Sequence, residues 1–197
     1  MAQKTGTAPD SYFEAQSHLR TWLIAVDRQW ARIIQAAEEH VQKDPLRGIG
    51  YLDDVLKLRA DTILFSFALN QLRSTAVLLG TYMPEDLASE VAHAVMVFDT
   101  SQPWVREARN VLAHFDEYVR GQGRRQKART DGRLQVISNM KMANGGFSQG
   151  KVADFVLSID IAPGSELIEV NVHKSTGDAI RMTRAIEDIC LKANRLF

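Results

Sequence analysis

The residues best suited to chemistry in this sequence lie in the run RNVLAH, residues 109–114. Three of them, Arg109, Asn110 and His114, carry side chains that can handle an anion and a proton. An imidazole titrating near neutral pH can accept or donate a proton, and a permanently charged guanidinium can hold a phosphate through two hydrogen bonds. Asparagine can orient either partner. The run therefore suits a site that binds a phosphate group and moves a proton.

The run must be positioned by the helix that the sequence predicts from Ser101 to about Gly121, called the motif helix below. At about 100° per residue, one side of this helix is apolar, and it carries Val105, Ala108, Leu112, Phe115 and Val119. Asn110 and His114 point to the opposite side, and their spacing of four positions makes them neighbours. Arg109 lies about a quarter turn from Asn110, and its side chain is long enough to reach the same space. We therefore expect an outward-facing site.

Three amphipathic helices are predicted before the motif helix, because apolar residues recur there at alternating spacings of three and four. The first covers Tyr12 to Gln42, and the second covers Leu52 to Leu79. The second is apolar nearly all round, so we expect it to lie centrally. The third begins at Met83-Pro84 and includes Phe98. Four helices joined by short loops predict an antiparallel bundle.

After residue 133 the apolar period changes from helical to two, which indicates strands. Three alternating segments occur, around 134–136, 155–161 and 168–172, and a final helix is expected after them, capped by Thr176. We therefore predict a mainly helical α+β class, with a four-helix bundle followed by a three-stranded antiparallel sheet and a C-terminal helix. The predicted organisation is a disordered tail (1–11), a bundle (12–122), a basic linker (123–132) and a small α+β appendage (133–197) packed on the bundle or on a second subunit.

The spacing of Arg109, a polar residue directly after it, and His114 resembles the Arg-polar-x3-His signature of HEPN domains. HEPN domains are antiparallel helical bundles that carry this signature on their last bundle helix. The resemblance covers about residues 12–120 and leaves the C-terminal region unexplained.

The resemblance implies a metal-independent endoribonuclease that acts as the toxin of a toxin-antitoxin or defence system. It implies that His114 assists attack by an RNA 2′-hydroxyl on the adjacent phosphate, that Arg109 stabilises the phosphorane, and that a cyclic phosphate end results. Asn110 would complete the catalytic set. HEPN ribonucleases usually pair two such motifs across a two-fold dimer, so a homodimer is expected, with an antitoxin or another protein as a further partner.

Basic residues on and after the motif helix could bind RNA phosphates without sequence preference. The predicted RNA-binding residues are Arg106, Arg120, Arg124, Arg125, Lys127 and Arg129, and the run continues to Arg133. The alternative is a solvated linker, since such loops are commonly charged without any partner.

A second interpretation is that the protein has a HEPN-like fold but no catalytic activity. Asp116 and Glu117 place two acids beside a site meant for an anion, and either could pair with Arg109 on an exposed helix face. The protein would then be an inactive HEPN-like module that binds a protein or a nucleotide.

Composition and charge limit which partners, compartment and cofactors are expected. Lys plus Arg and Asp plus Glu both total 24, so no global charge draws the protein to nucleic acid or membrane. The N-terminus lacks a signal-peptide pattern and no stretch matches an uncharged membrane span, so we expect a cytoplasmic protein. Cys190, the single cysteine, lies on an apolar stripe and is expected to be a buried thiol. The histidines lack metal-binding spacings, and no cofactor is expected.

Overall fold

Apolar residues at helical spacing form four long helices in the computed structural model, which describes residues 10–42, 49–106, 139–141, 156–159 and 168–196. Helix α1 covers Asp10–Gln42, and α2 covers Ile49–Gly80. Helix α3 covers Glu85–Ser101, and α4 covers Val172–Ala193. A short helical turn at Val105 and Arg106 begins the motif helix.

The core lies between the four helices. Helix α1 packs mainly along α2, whereas α4 packs on α3 and α1. Each helix contributes one buried stripe, and the largest fully buried side chains are Tyr12, Phe65, Phe98, Leu19, Ile33, Leu69, Leu72, Leu79, Ile186 and Val26. Because these residues come from all four helices, the hydrophobic effect stabilises the helices together.

Polar contacts between helices fix their relative positions. Arg73 on α2 makes two hydrogen bonds of 2.5 Å with Asp99 on α3, and this partly buried pair raises the pKa of Arg73. The Tyr12 hydroxyl at the start of α1 lies 3.4 Å from the carbonyl of Cys190 and 3.1 Å from Oδ1 of Asn194. Burial and the contact with Cys190 raise the pKa of Tyr12. The beginning of α1 is thereby held against the end of α4.

Three short strand segments precede α4. They are β1 (Asn139–Lys141), β2 (Val156–Ile159) and β3 (Ile168–Asn171), of three, four and four residues. They pair antiparallel in chain order, with Met140 opposite Leu157 and Leu157 opposite Val170. Segment β3 leads directly into α4, so the strands are joined to the helical body at that point.

The predicted α+β class is wrong, because the described chain is mostly helical. Its helices have 33, 32, 17 and 22 residues, far more than the strand segments hold. The final helix is not packed on a sheet in a small appendage. Residues Ala179, Met182, Ile186 and Ile189 of α4 are buried in the same core as the first three helices. The period-two pattern corresponds to short strand segments, but the long apolar stripe of α4 determines how the chain packs.

The first three helices lie close to where the sequence places them, with α1 starting two residues and α2 three residues earlier than expected. The predicted Thr176 cap is wrong, since α4 begins at Val172 and Asn171 accepts the capping hydrogen bond from the Lys174 amide. Helix α2 is only partly enclosed, because Leu64 and Phe67 are exposed. The boundaries of the 1–11 tail, the bundle, the 123–132 linker and the C-terminal region stay predictions.

One segment of α2 meets the length and composition of a membrane span. Residues Ala60–Gly80 have a mean hydropathy of 1.3, and half of this segment is buried inside the protein. A core helix in a bundle has the same properties, and Phe65, Leu69 and Leu72 of this segment lie in the shared core. The buried half of Ala60–Gly80 therefore belongs to the shared core.

Cys190 is a buried thiol, as the sequence predicts. Burial raises its pKa, so little of the reactive thiolate is present at neutral pH.

If α4 belongs to the shared core, Ile186→Ala should destabilise the whole helical body. We expect a loss of about 2–5 kcal/mol in the free energy of unfolding. Urea unfolding followed by tryptophan fluorescence measures this. Trp22 packs on Phe67 of α2 and reports outside α4, whereas Trp30 lies against His173 of α4.

Leu191→Ala is the matched control, since Leu191 on the same helix is 61% exposed. An unchanged tryptophan transition in Ile186→Ala would mean that α4 folds separately.

Candidate functional site

The described structure shows how the motif helix begins. Arg106 is exposed in its first turn, and the preceding Val105 is fully buried. The other predicted site residues lie outside the described residues, namely Arg109, Asn110, His114, Arg120, Arg124, Arg125, Lys127 and Arg129. Within the described structure, the residues that bear on this site are those that hold the start of the motif helix.

Gln102 is the residue at which one helix ends and the next begins. Its backbone N–H donates to the Phe98 carbonyl at 2.8 Å and closes α3, while its own carbonyl accepts from the Val105 amide at 3.2 Å. Its φ of −129° and ψ of 57° are non-helical. Pro103 follows it, and proline disfavours helical angles in the residue before it. The sequence thereby places a sharp break at Gln102.

The side chain of Gln102 is 3% exposed, and all of its polar functions are engaged. Its Nε2 donates to Oδ2 of Asp178 on α4 at 2.5 Å. Its Oε1 accepts from Nε1 of Trp104 at 2.8 Å and lies 2.8 Å from the hydroxyl of Ser175. A buried amide needs such partners, because an unmatched polar group costs about 1–3 kcal/mol. The group comprising Ser101, Gln102, Trp104, Ser175, Asp178 and Arg181 is called the polar junction below.

Asp178 is the charged centre of the polar junction and is 7% exposed. The Ser101 hydroxyl donates to its Oδ2 at 2.5 Å, and Arg181 forms an ion pair with its Oδ1. Burial alone would raise the pKa of Asp178, but the hydrogen bonds from Ser101, Gln102 and Arg181 outweigh burial and hold the pKa below its ordinary value. The carboxylate is therefore ionised at neutral pH.

A groove of about 690 Å³ lies beside the polar junction, between α3 and α4. Its lining includes Phe98 and Met182, together with the exposed His93. The ion pair between Glu90 and Lys192, at 2.6 Å, spans the two helices at this groove. Within the described ranges, no group of three or more histidine, cysteine or acidic residues could hold a metal ion.

The polar junction can position a helix, and its chemistry suits that task better than catalysis. A carboxylate with a lowered pKa is a weak base at neutral pH. The groups that donate hydrogen bonds to the Asp178 carboxylate are side chains of the protein itself. The junction joins the end of α3, the start of α4 and the start of the motif helix.

Sequence reasoning missed Gln102 and Asp178 as important residues. One signal was present: Asp178 precedes Ala179 and Met182 on the apolar stripe of α4, where a carboxylate needs a buried partner. Nothing in the sequence identified Gln102 as that partner, since the two residues are 76 positions apart.

Comparisons with protein-family models, curated proteins and solved structures found no match.

Replacing Asp178 should give a pH-dependent loss of stability. Asp178→Asn removes a charged acceptor, and we expect about 1–3 kcal/mol lower free energy of unfolding at pH 7. Because the folded pKa is lowered, this contribution is complete above the ordinary pKa of about 4 and is lost as the pH falls through the folded value. Urea unfolding from pH 7 to pH 3 measures the difference between the two proteins.

Asp188→Asn is the control for this measurement, because Asp188 is exposed on the same helix. A difference between wild type and Asp178→Asn that stays constant down to pH 3 would contradict a role for the ionised carboxylate.

Proposed function

We propose that this protein is a HEPN-type, metal-independent endoribonuclease. The observation that carries the proposal is the spacing of Arg109, Asn110 and His114 on a predicted helix whose first turn has a buried Val105 and an exposed Arg106. On a helical wheel His114 falls about 180° from Val105, at about 100° per residue. The burial of Val105 thus supports the phase in which Asn110 and His114 face away from the core, whereas Arg109 falls about 40° from Val105 and reaches the same space through its long side chain.

In the proposed reaction, His114 accepts the proton of an RNA 2′-hydroxyl while that oxygen attacks the adjacent phosphorus. Arg109 stabilises the charge that develops on the phosphoryl oxygens, and Asn110 orients the imidazole or the phosphate. The bond from phosphorus to the 5′-oxygen breaks, and this oxygen takes a proton from a second, protonated imidazole. The products are a cyclic phosphate end and a 5′-hydroxyl end.

A homodimer would supply the second imidazole. Two outward-facing motifs related by a two-fold axis bring two histidines and two arginines to one cleft. The predicted RNA-binding residues would then neutralise phosphates beside that cleft, which allows a protein of zero net charge to bind RNA locally. As part of the proposal, the protein acts in the cytoplasm, where a toxin-antitoxin or defence ribonuclease meets its RNA and its protein partner.

The second candidate function is an inactive HEPN-like module that binds a protein or a nucleotide. Asp116 and Glu117, close after His114, favour it because acidic side chains oppose an RNA phosphate. Such a module would keep its partner when His114 is replaced.

The cleavage assay uses single-stranded and structured RNA in the presence of EDTA. We expect wild-type cleavage with cyclic phosphate ends, and a rate at least about 100-fold lower for His114→Ala, the range for loss of a general acid or base. His93→Ala is the matched control, because His93 is an exposed histidine on α3. Absent wild-type cleavage, or equal cleavage by wild type and His114→Ala, would reject the ribonuclease.

Arg106 allows a separate test of RNA binding, since it is exposed at the start of the motif helix. Arg106→Ala should weaken RNA binding similarly for different sequences and reduce the slope of log affinity against log salt by about 0.7, as expected for one single-strand phosphate contact. Arg184→Ala, an exposed arginine on α4, is the control. An unchanged salt slope would remove Arg106 from the RNA-binding set.

A further inference from the structure

We infer that Gln102 and Asp178 are positioning residues through which α4 sets the starting point and direction of the motif helix. The inference rests on the proposed function, because it assigns these two residues to the site at Arg109, Asn110 and His114. It gives the C-terminal helix a role in catalysis that the HEPN resemblance, which ends near residue 120, does not supply.

Gln102 determines the direction that the chain takes after α3. The backbone of Gln102 ends α3 and accepts the first hydrogen bond of the next helical turn, at the Val105 amide. Its side chain is bound at Nε2 by Asp178 and at Oε1 by Trp104. With both its backbone and its side chain engaged, Gln102 cannot change its torsion angles without breaking buried hydrogen bonds.

Helix α4 supplies two of the neighbours of the Gln102 side chain, Asp178 and Ser175. Asp178 accepts from both Ser101 and Gln102, and Ser175 lies beside the same amide. Lys174 reaches the Ser101 carbonyl at 3.4 Å. Successive turns of α4 thus contact the two residues that precede Pro103, so α4 and the start of the motif helix move as one unit.

A small change in direction at the start of the motif helix is amplified along its length. In the predicted motif helix His114 is nine positions beyond Val105, or about 14 Å at a rise of about 1.5 Å per residue. A change of about 10° in helix direction at its start would move a group at that distance by about 2 Å. A misplacement of about 1 Å at reacting atoms can cost about 100-fold in rate. A small change at the polar junction is therefore sufficient to impair the proposed site.

The chemistry of the pair allows a rescue experiment. Asp178→Asn can place an amide donor against the Gln102 amide donor, and Gln102→Glu places a second carboxylate against Asp178. Combining the two substitutions restores one donor and one acceptor, because the new carboxylate can accept from the new amide. Trp104 and Ser175 can still donate to the new carboxylate, and Arg181 can still donate to the new amide oxygen at the Oδ1 position. The Ser101 hydroxyl, which contacts the Oδ2 position, then faces the new amide nitrogen and can accept from its second hydrogen.

The experiment measures kcat and KM for RNA cleavage and backbone hydrogen exchange of peptides covering residues 105–119. We expect each single substitution to lower kcat by about 100-fold, with a much smaller change in KM, and to speed exchange in these peptides. The double variant should recover to within about tenfold of wild-type kcat, and its exchange should slow again. Asp188→Asn, exposed on α4 outside the polar junction, should match wild type in both measurements.

The two readouts separate the failure of this inference from the failure of the proposed function. If wild type does not cleave RNA but exchange at 105–119 rises in the single variants and recovers in the double variant, the ribonuclease is rejected and the positioning role stands. If wild type cleaves RNA and the folded single variants match it in kcat and exchange, the positioning role is rejected. Equal loss in the single and double variants also rejects it.

A milder variant serves if the single substitutions at Gln102 and Asp178 fail to fold. Ser175→Ala removes one neighbour of the Gln102 Oε1 atom and leaves the Trp104 donor in place. We expect about tenfold lower kcat and faster exchange at 105–119, with KM nearly unchanged. Wild-type values of both kcat and exchange in Ser175→Ala would overturn the inference.

Discussion

The hydrogen bond between the buried amide of Gln102 and the buried carboxylate of Asp178 is the constraint that fixes how α3, α4 and the start of the motif helix meet beside the apolar core. An isolated buried carboxylate would be strongly destabilising, so its position is compatible with folding only where donors surround it. Those donors come from the end of α3 and from α4 itself. The cost of leaving Asp178 unpaired therefore selects the packing that brings α3 and α4 together at this point.

The sequence was sufficient to place α1, α2 and α3, because their apolar residues repeat at helical spacing and clear breaks separate them. It also indicated a final helix, but not where that helix packs. A periodic pattern shows which face of a helix is apolar and does not show which neighbour covers that face. The sequence therefore left open whether the C-terminal region packs on the bundle or on a second subunit, and Ile186 and Ile189 lie in the core shared with the first three helices. For the same reason Leu64 and Phe67 of α2 were expected inside and are exposed.

The sequence predicted only part of the candidate site. Arg109 and His114 are recognisable as a chemical pair from residue type and spacing, and ribonuclease as the particular chemistry comes from the HEPN resemblance alone. The polar junction was not predictable, because a hydrogen bond between residues 76 positions apart leaves no local pattern. Asp178 on an apolar stripe signals that a partner exists, but a glutamine before a proline is equally suited to an exposed turn.

The contact between the two ends of the bundle has a consequence for the order of events during synthesis. Tyr12 meets Cys190 and Asn194 across sequence separations of 178 and 182 residues, so this contact cannot form until α4 has left the ribosome. Such long-range contacts also slow folding, because chain entropy is lost before they form. The motif helix is translated before α4 and lacks the support of Asp178 during that interval. If the proposed ribonuclease depends on this support, its activity beside its own messenger RNA would be lower until α4 is made and packed.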